Sequence, residues 1–149
     1  PAQPKCQLLG VANLDQMRLY NAVYQKIGID FCIETSVDGY DEISLTGDFK
    51  IITNTYEKIF KSSDIGLSIA DAKDLEGGKT KEEAAKMFDS VLTNTSSEAH
   101  KEVVLANAAF AIQTLDPQKN IHECVAIARE SIESGKALQA LKKFIECNS

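Results

Sequence analysis

Long hydrophobic segments are missing from this sequence. The longest apolar run covers residues 103–112 and is interrupted by Asn107, so it has about half of the ~20 residues that a membrane-spanning helix needs. The opening segment, PAQPKCQLLG, has no apolar stretch of the length found in signal peptides. We therefore expect a cytoplasmic protein without a membrane partner.

An excess of basic residues is missing as well. Lys and Arg total 16, whereas Asp and Glu total 22, which gives a formal charge of −6 at pH 7. Because nucleic-acid-binding proteins need a basic surface for the phosphate backbone, we expect no nucleic-acid partner. Hydrophobic residues make up 44% of the chain, which is enough for a core, and 149 residues fit one domain, or part of one, better than two.

Paired cysteine motifs are also absent. The four cysteines, Cys6, Cys32, Cys124 and Cys147, lie far apart, and none forms a CxxC pair. Two disulfides would be an alternative in a secreted protein. Because no signal peptide is evident and three of the four have apolar neighbours, we expect buried, reduced thiols.

The first part of the chain alternates strand and helix patterns. Residues 6–11 and 29–36 are short apolar runs typical of buried strands. Between them, Asn13 with Gln16 forms a capping box at the start of a helix, and Gly28 is placed to end it. A strand, a helix and a strand with tight connections form a βαβ unit, so the two strands should be parallel.

The rest of the chain changes character. The runs EISLTG, FKIIT and YEKIFKSS are typical of short antiparallel strands, and a loop at residues 68–79 follows. Capping residues and helical periodicity then predict helices, among them residues 97–115, which are apolar nearly all round and should be buried. Together the patterns predict an α/β fold with a partial, mostly parallel sheet, a short antiparallel section and C-terminal helices.

The densest polar feature is SVDGYDEISL at residues 36–45, directly after the second predicted strand. In open α/β sheets, ligands bind outside the carboxyl ends of the strands. Asp38, Asp41 and Glu42 surround Gly39, and adjacent carboxylates on such a turn can share a hard divalent cation with water and phosphate. The spacing alone favours the plainer interpretation, in which the turn carries solvated acids.

Other polar candidates are weaker. His100 and His122 lack a second ligand at metal-binding spacing, so structural or solvent roles are favoured. Residues 78–80 form a GKT tripeptide, but the spacing of a phosphate-binding loop is not met. We expect Asn107 to be a buried hydrogen-bonding residue that joins two elements, with a ligand contact as the alternative.

Four segments, taken in order, resemble the anthranilate phosphoribosyltransferase family, and the resemblance spans essentially the whole chain. The family pattern has a Pro-Ala-x-Pro opening, a DGLDEIS-like loop, an LLNAA-like helix and an SGKAL-like closing helix. The matching segments are PAQPKCQLLGV at residues 1–11, DGYDEIS at 38–44, LANAA at 105–109 and SGKAL at 134–138.

The resemblance implies a function. Family enzymes transfer the phosphoribosyl group of phosphoribosyl pyrophosphate (PRPP) to the amino group of anthranilate and release pyrophosphate, a step in tryptophan biosynthesis. They have a small helical domain and a larger α/β domain, and they are commonly homodimers. Their Asp-Glu pair helps to hold Mg²⁺ at the pyrophosphate, and by motif this role falls on Asp41 and Glu42. No other residue is assigned a catalytic or cofactor-binding role.

The chain also departs from the family pattern. Thr35 stands where the family often has a histidine, which puts that residue's contacts in doubt, and Tyr40 replaces a commoner leucine. The family's glycine-rich PRPP loop, its Lys-His segment and its anthranilate-binding arginine would all lie upstream of Pro1. We therefore expect residues 1–149 to be the C-terminal portion of the α/β domain, without the N-terminal helical domain. Such a segment should be inactive alone and should self-associate through uncovered sheet edges and helix faces.

Two alternatives stay open at this point. A pyrimidine-nucleoside phosphorylase relative would share the two-domain plan, although the DGYDEIS segment favours the transferase. A non-catalytic binding relative of the same fold is the other, and the even acidic charge argues against nucleic acid as its ligand.

Overall fold

The computed structural model describes residues 4–148, so the first three residues of the opening motif at residues 1–11 lie outside the described part. A four-stranded sheet forms the centre and has the order β1-β2-β3-β4. Its strands are β1 (Cys6–Gly10), β2 (Asp30–Ser36), β3 (Phe49–Thr53) and β4 (Glu57–Phe60).

The predicted βαβ unit is confirmed. Strands β1 and β2 are parallel, with Cys6 opposite Asp30 and Gly10 opposite Glu34. Helix α1 (Leu14–Ile27) connects them, and the Asn13 side chain accepts a hydrogen bond from the backbone N–H of Gln16 at its start. Gly28 ends α1 with a φ of 75°, a left-handed conformation that favours glycine.

The sheet is less parallel than the sequence predicts. Among the described strands, β2 pairs with β3 and β3 with β4 in antiparallel fashion, so only β1 and β2 are parallel. The physical reason is the connection at residues 37–48, which contains no helix and so cannot make the crossover that a parallel neighbour requires. The α/β class is confirmed, and the antiparallel section is larger than expected.

The predicted strand in EISLTG is wrong. Residues 42–47 form an irregular loop, and Leu45 has a φ of 59°, which no β-strand accommodates. Leu45 is fully buried, and its carbonyl accepts a hydrogen bond of 2.9 Å from the N–H of Ala70. Burial of this side chain therefore overrides the strand pattern.

Four helices complete the described chain, and their caps follow the sequence. They are α2 (Lys81–Leu92), α3 (Glu98–Leu115), α4 (Ile121–Glu133) and α5 (Lys136–Glu146). Thr80 and Asn120 open α2 and α4 with reciprocal capping boxes, in which Glu83 and Glu123 are the partners. Short 3₁₀ turns occur at Ser62–Ile65 and Ala72–Leu75.

The sheet lies between two groups of helices. On one face, α1 packs a small core around Met17, Phe31 and Ile33. On the other face, α3 and α4 form the main core, where Phe49, Phe60 and Phe110 make ring contacts with one another. This arrangement leaves the loop at residues 37–48 beside the carboxyl ends of β1 and β2.

Helix α3 is buried on one side only, which corrects the prediction of burial all round. Leu105, Ala109 and Phe110 are fully buried, whereas Leu115 is 75% exposed and Val104 is 41% exposed. Its apolar sequence therefore covers the sheet with one face and leaves a part of the other face uncovered.

The prediction of free thiols is confirmed, whereas the prediction that they are buried is correct for two of the four cysteines. All four cysteines are free, with Cys32 and Cys124 buried, Cys6 partly buried and Cys147 exposed. No helix within residues 4–148 is long and apolar enough to cross a membrane.

Candidate functional site

Asp41 and Glu42 lie in the loop that leaves the carboxyl end of β2. Both side chains are exposed, while Ser36, the last residue of β2, and Ile43, which directly follows Glu42, are buried. The Asp41 and Glu42 side chains therefore lie in solvent next to buried residues, at the edge of the sheet where α/β proteins bind ligands.

Strand β2 holds the backbone on either side of Asp41. The carbonyl of Tyr40 accepts hydrogen bonds from the N–H of Ser36, at 2.9 Å, and from the hydroxyl of Thr35, at 3.3 Å. The Ser36 hydroxyl donates to the carbonyl of Glu42 at 2.7 Å. Two carbonyls of the loop are thus fixed to the last two residues of the strand.

Helix α3 holds the next residue through Asn107. Its side-chain Oδ1 accepts from the N–H of Ile43 at 3.0 Å, and its Nδ2 donates to the carbonyl of Ile43 at 2.8 Å. Nδ2 also donates to the carbonyl of Val103 one turn earlier in α3. The prediction that Asn107 joins two elements is confirmed.

Gly10 of β1 lies directly against the backbone of the loop. An ideal Cβ built on Gly10 would lie 1.6 Å from the carbonyl oxygen of Asp41 and 2.9 Å from its carbonyl carbon. Only glycine leaves room for so close an approach of two backbones. Residues 40–43 are therefore each in contact with a fixed element through their backbone, while the Asp41 and Glu42 carboxylates make no hydrogen bond or ion pair within residues 4–148.

The third acid of the loop has a different role. The hydroxyl of Thr46 donates to the Asp38 carboxylate, and the Thr46 and Ser44 hydroxyls are 2.7 Å apart. Gly39 has a φ of 103°, which L-residues rarely adopt. Asp38 therefore stabilises the outer turn, and the predicted group of three acids reduces to the pair Asp41 and Glu42.

Glu34 is a buried acid next to this site that the sequence analysis did not single out. It is 3% exposed near the end of β2, and its Oε2 has no hydrogen-bond partner within the described chain. Burial, and secondarily the negative charge of Glu42, raises the pKa of the Glu34 carboxyl to about 8. The alternation along β2 could have revealed it, because Glu34 lies on the same face as the buried Cys32.

Of the other candidates, His100 lines the same cavity as Tyr40 and Glu42, and its Nε2 is buried without a hydrogen-bond partner within the described chain. The Nδ1 atom of His100 lies 3.0 Å from the hydroxyl of Ser97, and the exposed His122 contacts the region of Gly66. Thr80 of the GKT tripeptide caps α2. A structural interpretation therefore fits His122 and the GKT tripeptide, whereas the contact with Ser97 accounts for only one of the two ring nitrogens of His100.

The donor set at Asp41 and Glu42 fits Mg²⁺. This ion usually takes one or two protein carboxylates and keeps its other positions for water and substrate phosphate. Within residues 4–148, no group of three or more His, Cys, Asp or Glu side chains could enclose a metal. The exposed carboxylates of Asp41 and Glu42 are of the ligand type and number that Mg²⁺ takes from a protein.

Sequence comparison supports the resemblance. A family model described as "Glycosyl transferase family, a/b domain" matches residues 1–138. The anthranilate phosphoribosyltransferase of Phocaeicola vulgatus is 58% identical over all of this chain and 45% of its own length. That of Bacteroides thetaiotaomicron is 52% identical over the same shares. The chain thus spans about 45% of the length of these curated relatives.

Solved structures show the same fold. Anthranilate phosphoribosyltransferase from Saccharomyces cerevisiae, in complex with PRPP and Mg, superposes with a TM-score of 0.85 at 24% identity, over 95% of this chain and 41% of that one. The enzyme from Thermus thermophilus gives 0.83 at 22% identity, over 92% and 41%. At these identities the likeness establishes the architecture.

Proposed function

Because this chain belongs to the glycosyl transferase family by its a/b domain, we propose that it is part of an enzyme that transfers the phosphoribosyl group of PRPP to anthranilate. Support comes from relatives with that name at 58% and 52% identity over the whole chain. The observation in the structure that carries the proposal is the exposed pair Asp41 and Glu42 on a backbone held at four consecutive residues.

The chain would be one segment of a longer polypeptide, here called the complete enzyme. The match to 45% of the length of the relatives supports this. We propose that residues 1–149 are the C-terminal portion of the α/β domain, as the order of the motifs indicates. The helical domain, the glycine-rich PRPP loop and the residues that grip anthranilate would then belong to the remainder.

Asp41 and Glu42 would hold Mg²⁺ at the pyrophosphate of PRPP. A divalent cation there neutralises the negative charge that builds on the leaving pyrophosphate as the C1–O bond breaks. The chain's own contribution is to present two carboxylates at a fixed place without surrounding the ion. The open side then stays available to the phosphate oxygens and to water.

Thr35 would serve the same loop at the position where the family often has a histidine. Its side chain is buried, with 1% exposure, and its hydroxyl donates to the carbonyl of Tyr40. We therefore assign it to holding the loop rather than to touching the substrate.

The proposed role of the pair predicts a magnesium-dependent loss of activity. In the complete enzyme, Asp41→Asn with Glu42→Gln should lower phosphoribosyl transfer to anthranilate at limiting Mg²⁺ by about tenfold or more, because both anionic ligands are lost. Asp48→Asn, which changes an exposed acid of the same loop, should leave the rate unchanged.

Full activity of the double variant at limiting Mg²⁺ would remove the assigned role. The isolated 149-residue chain should show no transfer, since it would lack the PRPP loop. Measurable turnover by that chain alone would contradict its placement as a segment of a larger catalytic unit.

Three further parts of the proposal depend on this activity. The reaction would be a step of tryptophan biosynthesis, the enzyme would act in the cytoplasm, and the complete enzyme would be a homodimer. Self-association of the isolated chain is supported by apolar side chains on two helix surfaces, where Leu19 and Ile27 of α1 and Phe144 of α5 are each more than 60% exposed.

A further inference from the structure

The loop that carries Asp41 and Glu42 lacks regular structure, so its shape depends on side chains. Among the described residues, positions 41–44 make no hydrogen bond from backbone to backbone. Ser36 takes up the carbonyl of Glu42 and the N–H of Ser44. The N–H and the carbonyl of Ile43 are both taken by Asn107.

The Asn107 amide makes the two hydrogen bonds with the backbone of Ile43 that a neighbouring strand would otherwise make. A carboxamide offers one acceptor and two donors in a fixed plane, so it can pair with the N–H and the carbonyl of a single residue. Its third bond, to the carbonyl of Val103, fixes the amide to α3 itself. Ile43 directly follows Glu42, and both of its polar backbone groups are therefore tied to the rigid helix.

The same loop is limited on its other side by Gly10 of β1, against which the Asp41 carbonyl rests. The peptide units around Asp41 and Glu42 are thus held between β1 and α3. A shift of Ile43 away from α3 would rotate the peptide of Glu42 and change the direction of its carboxylate.

We propose that Asn107 is a positioning residue for divalent-cation binding, which acts by fixing the Asp41 and Glu42 carboxylates in one relative orientation. This inference rests on the proposed function of that pair. The site would then include a residue of α3 that acts through the loop backbone and not as a ligand. Loss of a residue that orients metal ligands typically lowers metal affinity by about 10- to 100-fold.

Asn54 supplies a matched control at the opposite end of β2. Its Oδ1 accepts from the N–H of Phe31 at 2.8 Å, and its Nδ2 donates to the carbonyl of Ile29 at 2.9 Å. The amide therefore joins two segments with the same chemistry as Asn107, but it lies far from the acids along the strand. Loss of either the Asn54 or the Asn107 amide should destabilise the protein, while only loss of the Asn107 amide should weaken cation binding.

The test is Mn²⁺ binding to the complete enzyme, followed by the electron paramagnetic resonance signal of the free ion. Asn107→Leu should weaken the binding that depends on Asp41 and Glu42 by about tenfold or more, whereas Asn54→Leu should change it less than about twofold. Asn107→Ser, which keeps a small polar side chain, is the second variant if the leucine variant does not fold, and it should also weaken binding.

Each result decides between the two proposals. If the wild-type enzyme binds no Mn²⁺ through Asp41 and Glu42, the proposed function of the pair fails and the inference fails with it. If wild-type binding depends on the pair but the Asn107 variants bind equally well, only the inference fails. An equal loss in the Asn54 variant would also overturn it, because the effect would then be general destabilisation.

Discussion

Replacing Gly10 by Ala should destabilise the chain by about 3 kcal/mol and disrupt the cation site at the same time. The added methyl group would sit 1.6 Å from the Asp41 carbonyl oxygen, whereas nonbonded carbon and oxygen atoms need about twice that separation. The obstacle is backbone rather than a flexible side chain. The loop must therefore move away from β1, although Ser36 and Asn107 hold it on the other sides.

Chemical denaturation of the complete enzyme measures the first effect, and Mn²⁺ binding to the same protein measures the second. Gly47→Ala is the control, because it adds the same methyl group within the same loop. There the new carbon would meet the Asp38 carboxylate at 3.5 Å, an ordinary contact. Equal stability and equal binding in both variants would mean that the close approach at Gly10 does not fix the loop.

Replacing Glu34 by Gln should remove a large dependence of stability on pH. The pKa of this carboxyl rises from 4.5 to about 8 on folding, so the folded protein favours the protonated, neutral form. The stabilisation is fully present below pH 4.5 and is lost as the pH rises through 8. For this shift the loss is at most about 5 kcal/mol. Gln has the same shape and no charge, so the variant should keep its stability over this range.

The measurement is the free energy of unfolding of the complete enzyme at several values between pH 4.5 and pH 8.5, compared between wild type and variant. The difference isolates Glu34 from the other acids that titrate in the same range. Glu133→Gln, at an exposed position, should follow the wild-type curve. Parallel curves for wild type and Glu34→Gln would show that burial does not keep this carboxyl neutral.

The sequence predicts the ends of the helices, because the residues that fix them act locally. Asn13 and Gly28 mark the ends of α1 because a capping side chain and a left-handed glycine act within a few residues. The same holds for Thr80 and Asn120 at the starts of α2 and α4. Only the motif resemblance points to Asp41 and Glu42 as metal ligands, since their spacing alone favours a solvated turn.

The rest depends on contacts between residues distant in sequence. Leu45 leaves the β conformation because its side chain is buried in the main core, which no local pattern shows. Gly10 and Asp41 meet only after β1 and β2 have paired, and Asn107 reaches Ile43 only once α3 lies on the sheet. The conformation of the loop around Asp41 and Glu42 therefore depends on tertiary contacts. Sequence periodicity predicts the helices and strands, but not the contacts by which they hold the loop.

The most direct measurement is the binding of Mg²⁺ to the complete enzyme saturated with pyrophosphate, by isothermal titration calorimetry. We expect a Mg²⁺ site that Asp41→Asn with Glu42→Gln weakens by about tenfold or more and that Asp48→Asn leaves unchanged. Binding of the same strength in the double variant would contradict the claim that these two carboxylates hold the cation.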